Sequence, residues 1–203
     1  VSIHEEQQVF SSGTSLEDAD RAVVMLHGRG ASARSMLRMA DQLPEAAFLA
    51  PQAENRTWYP HSFMEPREKN QPHLDSALEK VDSVMDRVEE HVPREKIVVL
   101  GFSQGACLAS EYVASHPDSY GGLVVLSGGL IGEEVRKFSG RIDSEVFIGC
   151  ADSDPHIPVE RVEETSETFQ ELGADVETHI FEGSHHGIVD YEIERMREIA
   201  GSL

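Results

Sequence analysis

A chain of 203 residues with 39% hydrophobic content is long enough for one α/β domain spanning residues 1–203 around a buried core. Its formal net charge of −20 argues against nucleic-acid phosphates and anionic lipid headgroups as partners. The longest apolar runs are only a few residues, too short to cross a bilayer. The N-terminal Val1-Ser2-Ile3-His4-Glu5-Glu6 has neither a basic n-region nor an apolar h-region, so a cytoplasmic protein without an integral membrane segment is expected.

In chain order, Gln7 to Ser11 is a candidate edge strand. Buried strands are predicted at 22–26, at 46–50 closed by Pro51, at 97–102, at 123–127 between glycine pairs, and at 146–150. A partly alternating strand follows at 176–181. Continuous apolar runs of this kind indicate strands covered on both faces, as in a parallel sheet. Helical patterns lie between them. Met36, Ala40 and Leu43 mark a short helix stopped by Pro44. Leu74, Leu78, Val81, Met85, Val88 and Val92 form one stripe bracketed by Pro72 and Pro93. Val159 to Leu172 and Val189 to Ala200 mark two more. Strand–helix alternation over the whole length predicts a mostly parallel, doubly wound sheet with helices on both faces.

Two features stand apart from the regular pattern. The segment Asn55 to Gln71 is long and aperiodic but carries Trp58, Tyr59 and Phe63. It follows a strand end, where ligand sites form in such sheets, so these aromatics are candidates for a substrate wall. Cys107 and Cys150 lack metal-site spacing and read as two buried reduced thiols. The Arg excess over Lys and the acidic balance would suit a high-salt source, although Glu outnumbers Asp.

The chemistry centres on Gly101-Phe102-Ser103-Gln104-Gly105. It lies between the apolar run Ile97 to Leu100 and the helix-forming Ala106-Cys107-Leu108-Ala109. Gly-x-Ser-x-Gly between a buried strand and a helix is the nucleophile elbow of an α/β-hydrolase fold. The turn is so tight that a Cβ at either flank would strike backbone, and Ser103 is left exposed at the C-terminal edge of the sheet. Serine needs a base, and the base needs an orienting acid, in the chain order Ser, Asp, His. Asp152 or Asp154 follows one strand, and His185 or His186 follows the last. Position alone leaves both pairs open.

Leu26-His27-Gly28-Arg29-Gly30 follows the first buried strand, where one oxyanion donor is expected. The backbone N–H groups of Arg29 and Gln104 are assigned to that hole. His27 as a second base is discounted because it precedes Ser103. The ten histidines show no His-x-His or His-x-x-x-His spacing, so neither a metal nor another cofactor is expected.

These segments, with Asp154-Pro155-His156-Ile157-Pro158 and Phe181-Glu182-Gly183-Ser184-His185-His186, resemble the phospholipase/carboxylesterase family, which includes acyl-protein thioesterases and small carboxylesterases. The resemblance implies Ser103, Asp154 and His186 as the catalytic triad. It implies hydrolysis of a small or medium-chain carboxylic ester through an acyl-enzyme. Lysophospholipase and acyl-protein thioesterase are the alternatives, and a non-catalytic binding protein on the same fold is a third reading. The implied partner is a small-molecule ester, with a homodimer left open. Arg29 stands where the family usually has an apolar residue, often Leu, and a charged wall disfavours long acyl chains. Trp58-Tyr59-Pro60 also departs from the thioesterases' usual Trp-aromatic-Asp.

Overall fold

The computed structural model describes residues 2–203. Seven strands form a single sheet in the order β1-β3-β2-β4-β5-β6-β7. They are β1 (Val9–Gly13), β2 (Ala22–Leu26), β3 (Ala47–Pro51), β4 (Ile97–Phe102), β5 (Gly122–Leu126), β6 (Glu145–Ala151) and β7 (Asp175–Phe181). Among the described residues only β1 runs antiparallel, along the free edge of β3; every other pairing is parallel. The expected α/β-hydrolase architecture is therefore the one the chain adopts.

Side-chain alternation along the strands divides the core in two. Ala22, Val24 and Leu26 of β2 face a cluster with α2 (His73–Glu89), α3 (Gln104–Ser115) and α4 (Val159–Glu171). Val23 and Met25 face the opposite way, toward α1 (Ala33–Leu37) and α5 (Asp190–Gly201). Because both faces are covered, every residue of β2, β3 and β5 is buried. Burying a large aliphatic side chain contributes about 1.5–3 kcal/mol, so these contiguous apolar strands are the main stabilising mass of the fold.

The structure shifts several predicted boundaries. β3 runs one residue later than its apolar run, and Pro51 is its last member, opposite Val9. A proline is tolerated there because a terminal strand position can lack an N–H. The short helix from Met36 to Leu43 is two pieces, α1 and a 3₁₀ turn at Arg38–Gln42; Ser32 and Ser35 cap α1 reciprocally. α2 ends at Glu89 rather than at Val92. Ser127 leaves β5 altogether, with φ at 54°. Two 3₁₀ turns, Glu54–Arg56 and Arg67–Asn70, stand at the two ends of the Asn55 to Gln71 segment.

Parallel pairing from β3 through β7 sends all six strand C-termini to one edge of the sheet. Arg29 follows β2, Trp58 to Phe63 follow β3, Ser103 follows β4, Asp154 follows β6 and His186 follows β7. Residues up to 157 positions apart in the chain thus come to one place because of sheet topology.

Candidate active site

Ser103 occupies the junction of β4 and α3 with φ 55° and ψ −119°. This conformation is costly for a residue with a Cβ, on the order of 1–3 kcal/mol, and it persists only where the surroundings impose it. They do so here through backbone packing. A Cβ on Gly101 would fall on the Gly105 carbonyl, and a Cβ on Gly105 would fall on the Leu26 carbonyl of β2. The Ser103 N–H donates to the Leu126 carbonyl at 2.9 Å, extending the β4–β5 ladder by one bond past Phe102.

His186 links this hydroxyl to a buried carboxylate. Its Nε2 lies 2.8 Å from Ser103 Oγ and its Nδ1 lies 2.7 Å from Asp154 Oδ2. The consistent tautomer has Nδ1–H donating to Asp154 and Nε2 accepting from the serine hydroxyl. Asp154 has no solvent-exposed side-chain surface. Its second oxygen accepts the backbone N–H groups of His156 (2.8 Å) and Ile157 (3.0 Å), which fixes the carboxylate plane. Phe102 packs against the His186 ring at 5.2 Å between centroids.

The neighbouring candidates go elsewhere. Asp152 Oδ1 accepts the Gly183 N–H at 3.0 Å, joining the loop after β6 to the loop after β7. His185 is exposed and lies outside the cavity around Ser103. The structure therefore brings together Ser103, Asp154 and His186 and leaves Asp152 and His185 out.

Two residues lining the cavity beside Ser103 carry unpaired backbone donors. The N–H groups of Arg29 and Gln104 donate to no protein acceptor among the described residues. Gln104 opens α3, so its amide is one of the unpaired donors at a helix N-terminus. Gly28 brings the β2 loop close: a Cβ there would lie 3.3 Å from Ser103 Cβ. His27 is fully buried and structural. Its Nε2 accepts the Ala53 N–H at 3.0 Å and its Nδ1 lies 2.8 Å from the Gly28 carbonyl. Burial lowers its pKa, which keeps the ring neutral as an acceptor.

A cavity of about 490 Å³ opens beside Ser103, within the size range of small-molecule sites. Arg29, Tyr59, His61, Phe63 and His156 are among its walls. Tyr59 and Phe63 stand where the sequence places them. Trp58 does not: it is fully buried behind the wall and absent from the lining. Its indole N–H donates to the His27 carbonyl at 2.8 Å, and its ring stacks on His27 at 5.0 Å. An indole N–H must find an acceptor when buried, and here that acceptor lies in the core.

Sequence reasoning gave Gln104 a backbone role only. Its side chain also holds the aromatic loop: Oε1 accepts the Trp58 N–H (2.8 Å) and Nε2 donates to the Tyr59 carbonyl (2.9 Å). Glu111 was missed. Fully buried on α3, it accepts from Arg136 Nε at 3.0 Å, from Arg67, and from the Ile131 N–H at 3.3 Å. It thereby ties the Asn55 to Gln71 segment, through Arg67, and the chain around Ile131 to Arg136 to the helix that follows Ser103. The signal for it was the one charged residue within the buried helix α3. Cys107 and Cys150 are free and buried, and burial pushes both thiols up to about 12, leaving them inert.

Comparison with known proteins agrees with this geometry. Residues 8–200 match the family model described as Phospholipase/Carboxylesterase. A crystal structure of a phospholipase/carboxylesterase from Dyadobacter fermentans is 41% identical, with a TM-score of 0.92 and 95% of each chain covered. Acyl-protein thioesterase 1 of Debaryomyces hansenii is 30% identical over 115 residues, covering 54% of this chain and 50% of that protein. The Candida albicans protein of the same name is 32% identical over 117 residues, covering 52% and 51%. The matched region thus spans about half the length of these yeast relatives. With the family model covering nearly the whole chain, and with the sheet and loops arranged as described, this protein belongs to the phospholipase/carboxylesterase family.

Proposed function

We propose that the protein is a serine hydrolase that cleaves small or medium-chain carboxylic esters, with Ser103, His186 and Asp154 as its catalytic triad. The observation that carries this reading is His186 bridging Ser103 Oγ and Asp154 Oδ2 at 2.8 and 2.7 Å beside two free backbone amides. Ser103 Oγ attacks the ester carbonyl carbon while its proton passes to His186 Nε2. Asp154 holds the ring in place and stabilises the imidazolium. The Arg29 and Gln104 N–H groups receive the oxyanion, aided by the N-terminus of α3. Collapse of the tetrahedral species breaks the bond to the alcohol oxygen, which leaves with the proton from His186. Water, deprotonated by His186, then adds to the acyl-enzyme, and the acid departs as Ser103 regains its proton.

The test is labelling by a fluorophosphonate together with release of p-nitrophenol from short acyl esters. Both are expected for the native chain, and both are expected to vanish in Ser103→Ala with the fold intact. Labelling that persists in the variant would remove Ser103 from the mechanism; a native chain that neither labels nor hydrolyses would favour a binding protein on the same fold. The names of the yeast relatives support a second reading, a thioesterase. Comparing acyl thioesters with oxygen esters of graded chain length separates the two. A preference for long acyl thioesters would replace the small-ester reading.

A further inference from the structure

The charge pattern of the cavity runs against that of the whole protein. The chain carries a net −20, with Asp and Glu together numbering 37. Yet no Asp or Glu lines the cavity beside Ser103; Asp154 sits behind His186, out of the lining. The one permanently charged lining group is the Arg29 guanidinium. It makes no ion pair with a carboxylate among the described residues. Instead its two terminal nitrogens donate to the carbonyls of Pro60 (3.0 Å) and His61 (2.9 Å) on the facing wall.

These two bonds have a specific physical consequence. A surface arginine normally loses several rotatable bonds when it grips an anion. Here the fork is already held by neutral dipoles, which fix its direction without cancelling its charge. Two of five N–H donors are used, leaving the rest to a ligand. Arg67 and Arg136, by contrast, are both taken up by Glu111. A pre-oriented, uncompensated cation within the same cavity as the nucleophile selects for charge in the substrate.

We propose that the preferred ester carries an anionic group, such as a second carboxylate, placed a few bonds from the ester carbonyl and received by Arg29. This rests on the serine-hydrolase reading above and narrows its substrate class. Arg29 then has two functions: its backbone N–H serves the oxyanion and its side chain reads the substrate.

The experiment compares matched charged and neutral esters, in two series that place the charge on either side of the ester. Monomethyl adipate is set against methyl heptanoate, and O-acetyl-4-hydroxybutyrate against pentyl acetate, with acid release followed by pH-stat. For the native chain, kcat/KM for the charged member should exceed its neutral partner by about tenfold in at least one series, the scale of one charge-assisted contact. In Arg29→Gln that ratio should fall to about one to two. Arg29→Lys should keep part of it, since it retains the charge but not the fork. Thermal melts of each variant report whether the Pro60–His61 wall is still held. Equal or better use of the neutral esters by the native chain overturns the proposal while leaving the hydrolase reading intact. A charge preference that survives Arg29→Gln overturns it as well and leaves Arg29 as a staple of the loop. Failure to hydrolyse any of the four, with no fluorophosphonate labelling, removes both readings.

Discussion

Ser103 and Ser127 sit side by side at the ends of β4 and β5, and they differ in almost everything but backbone. Both have left-handed φ, 55° and 54°. Both continue the ladder by one amide bond, Ser103 to the Leu126 carbonyl and Ser127 to the Gly149 carbonyl. Ser103 Oγ is hydrogen-bonded to His186, whereas Ser127 Oγ is buried with no partner among the described residues. Strain at a strand end is therefore not what makes a nucleophile. What distinguishes the proposed nucleophile is the His186 ring hydrogen-bonded to its hydroxyl and the cavity that opens beside it. The end of β5 carries the opposite signature, since a second unpartnered buried atom, Glu192 Oε1, lies against Gly149.

The sharpest way to break this contrast is to exchange the fates of the two serines. Ser103→Ala and His186→Ala should each lower kcat by about 10⁴-fold or more, while Ser127→Ala and His185→Ala should each cost less than about tenfold. Steady-state ester hydrolysis measures all four. A large loss in Ser127→Ala would mean that the end of β5 belongs to the chemistry.

The next effect is on folding. Gly105→Ala puts a Cβ on the Leu26 carbonyl, so β2 or α3 must shift, at a cost of about 3 kcal/mol. Chemical denaturation should show it. Retained native stability would mean that the turn is not closed by backbone contact.

Glu192 adds a pH dependence of similar size. It is fully buried, and burial raises its carboxyl to about 7, partly countered by the bond it accepts from the Val189 N–H. A carboxyl raised above its unfolded value holds a proton in the folded state that the unfolded chain releases. Its contribution to stability is complete below about pH 4.5 and is lost as pH rises through about 7, roughly 3 kcal/mol in all. Glu192→Gln should flatten the curve of Tm against pH between 5 and 8. An unchanged curve would show that Glu192 does not titrate in that window.

The smallest expected change is at Ser127 itself. Ser127→Gly removes both the left-handed strain and the orphan hydroxyl, against the extra backbone entropy of glycine, for a net gain of about 1 kcal/mol. Loss of stability instead would indicate that Ser127 Oγ has a partner in solution.

The primary sequence was enough for the parallel sheet and for the elbow. Strands covered on both faces must be apolar at every position, and a turn without room for a Cβ must be glycine at both flanks, so local composition records them. Local signals also narrowed the candidate acid and base to two close pairs, 152 or 154 and 185 or 186. Choosing within each pair by physics required the loop paths after β6 and β7, because neighbouring residues on a loop point to different places. Trp58 shows the same limit: an aromatic on a loop is equally suited to a pocket wall or to the support behind it, and the acceptor that decided it, the His27 carbonyl, is 31 residues away. Glu111 and the Gln104 side chain escaped notice because their partners lie on segments from 20 to 46 residues distant. Sequence alone determined what each segment could become. Tertiary contact decided which polar atoms met, since partner choice for a buried group depends on distances that local pattern does not encode.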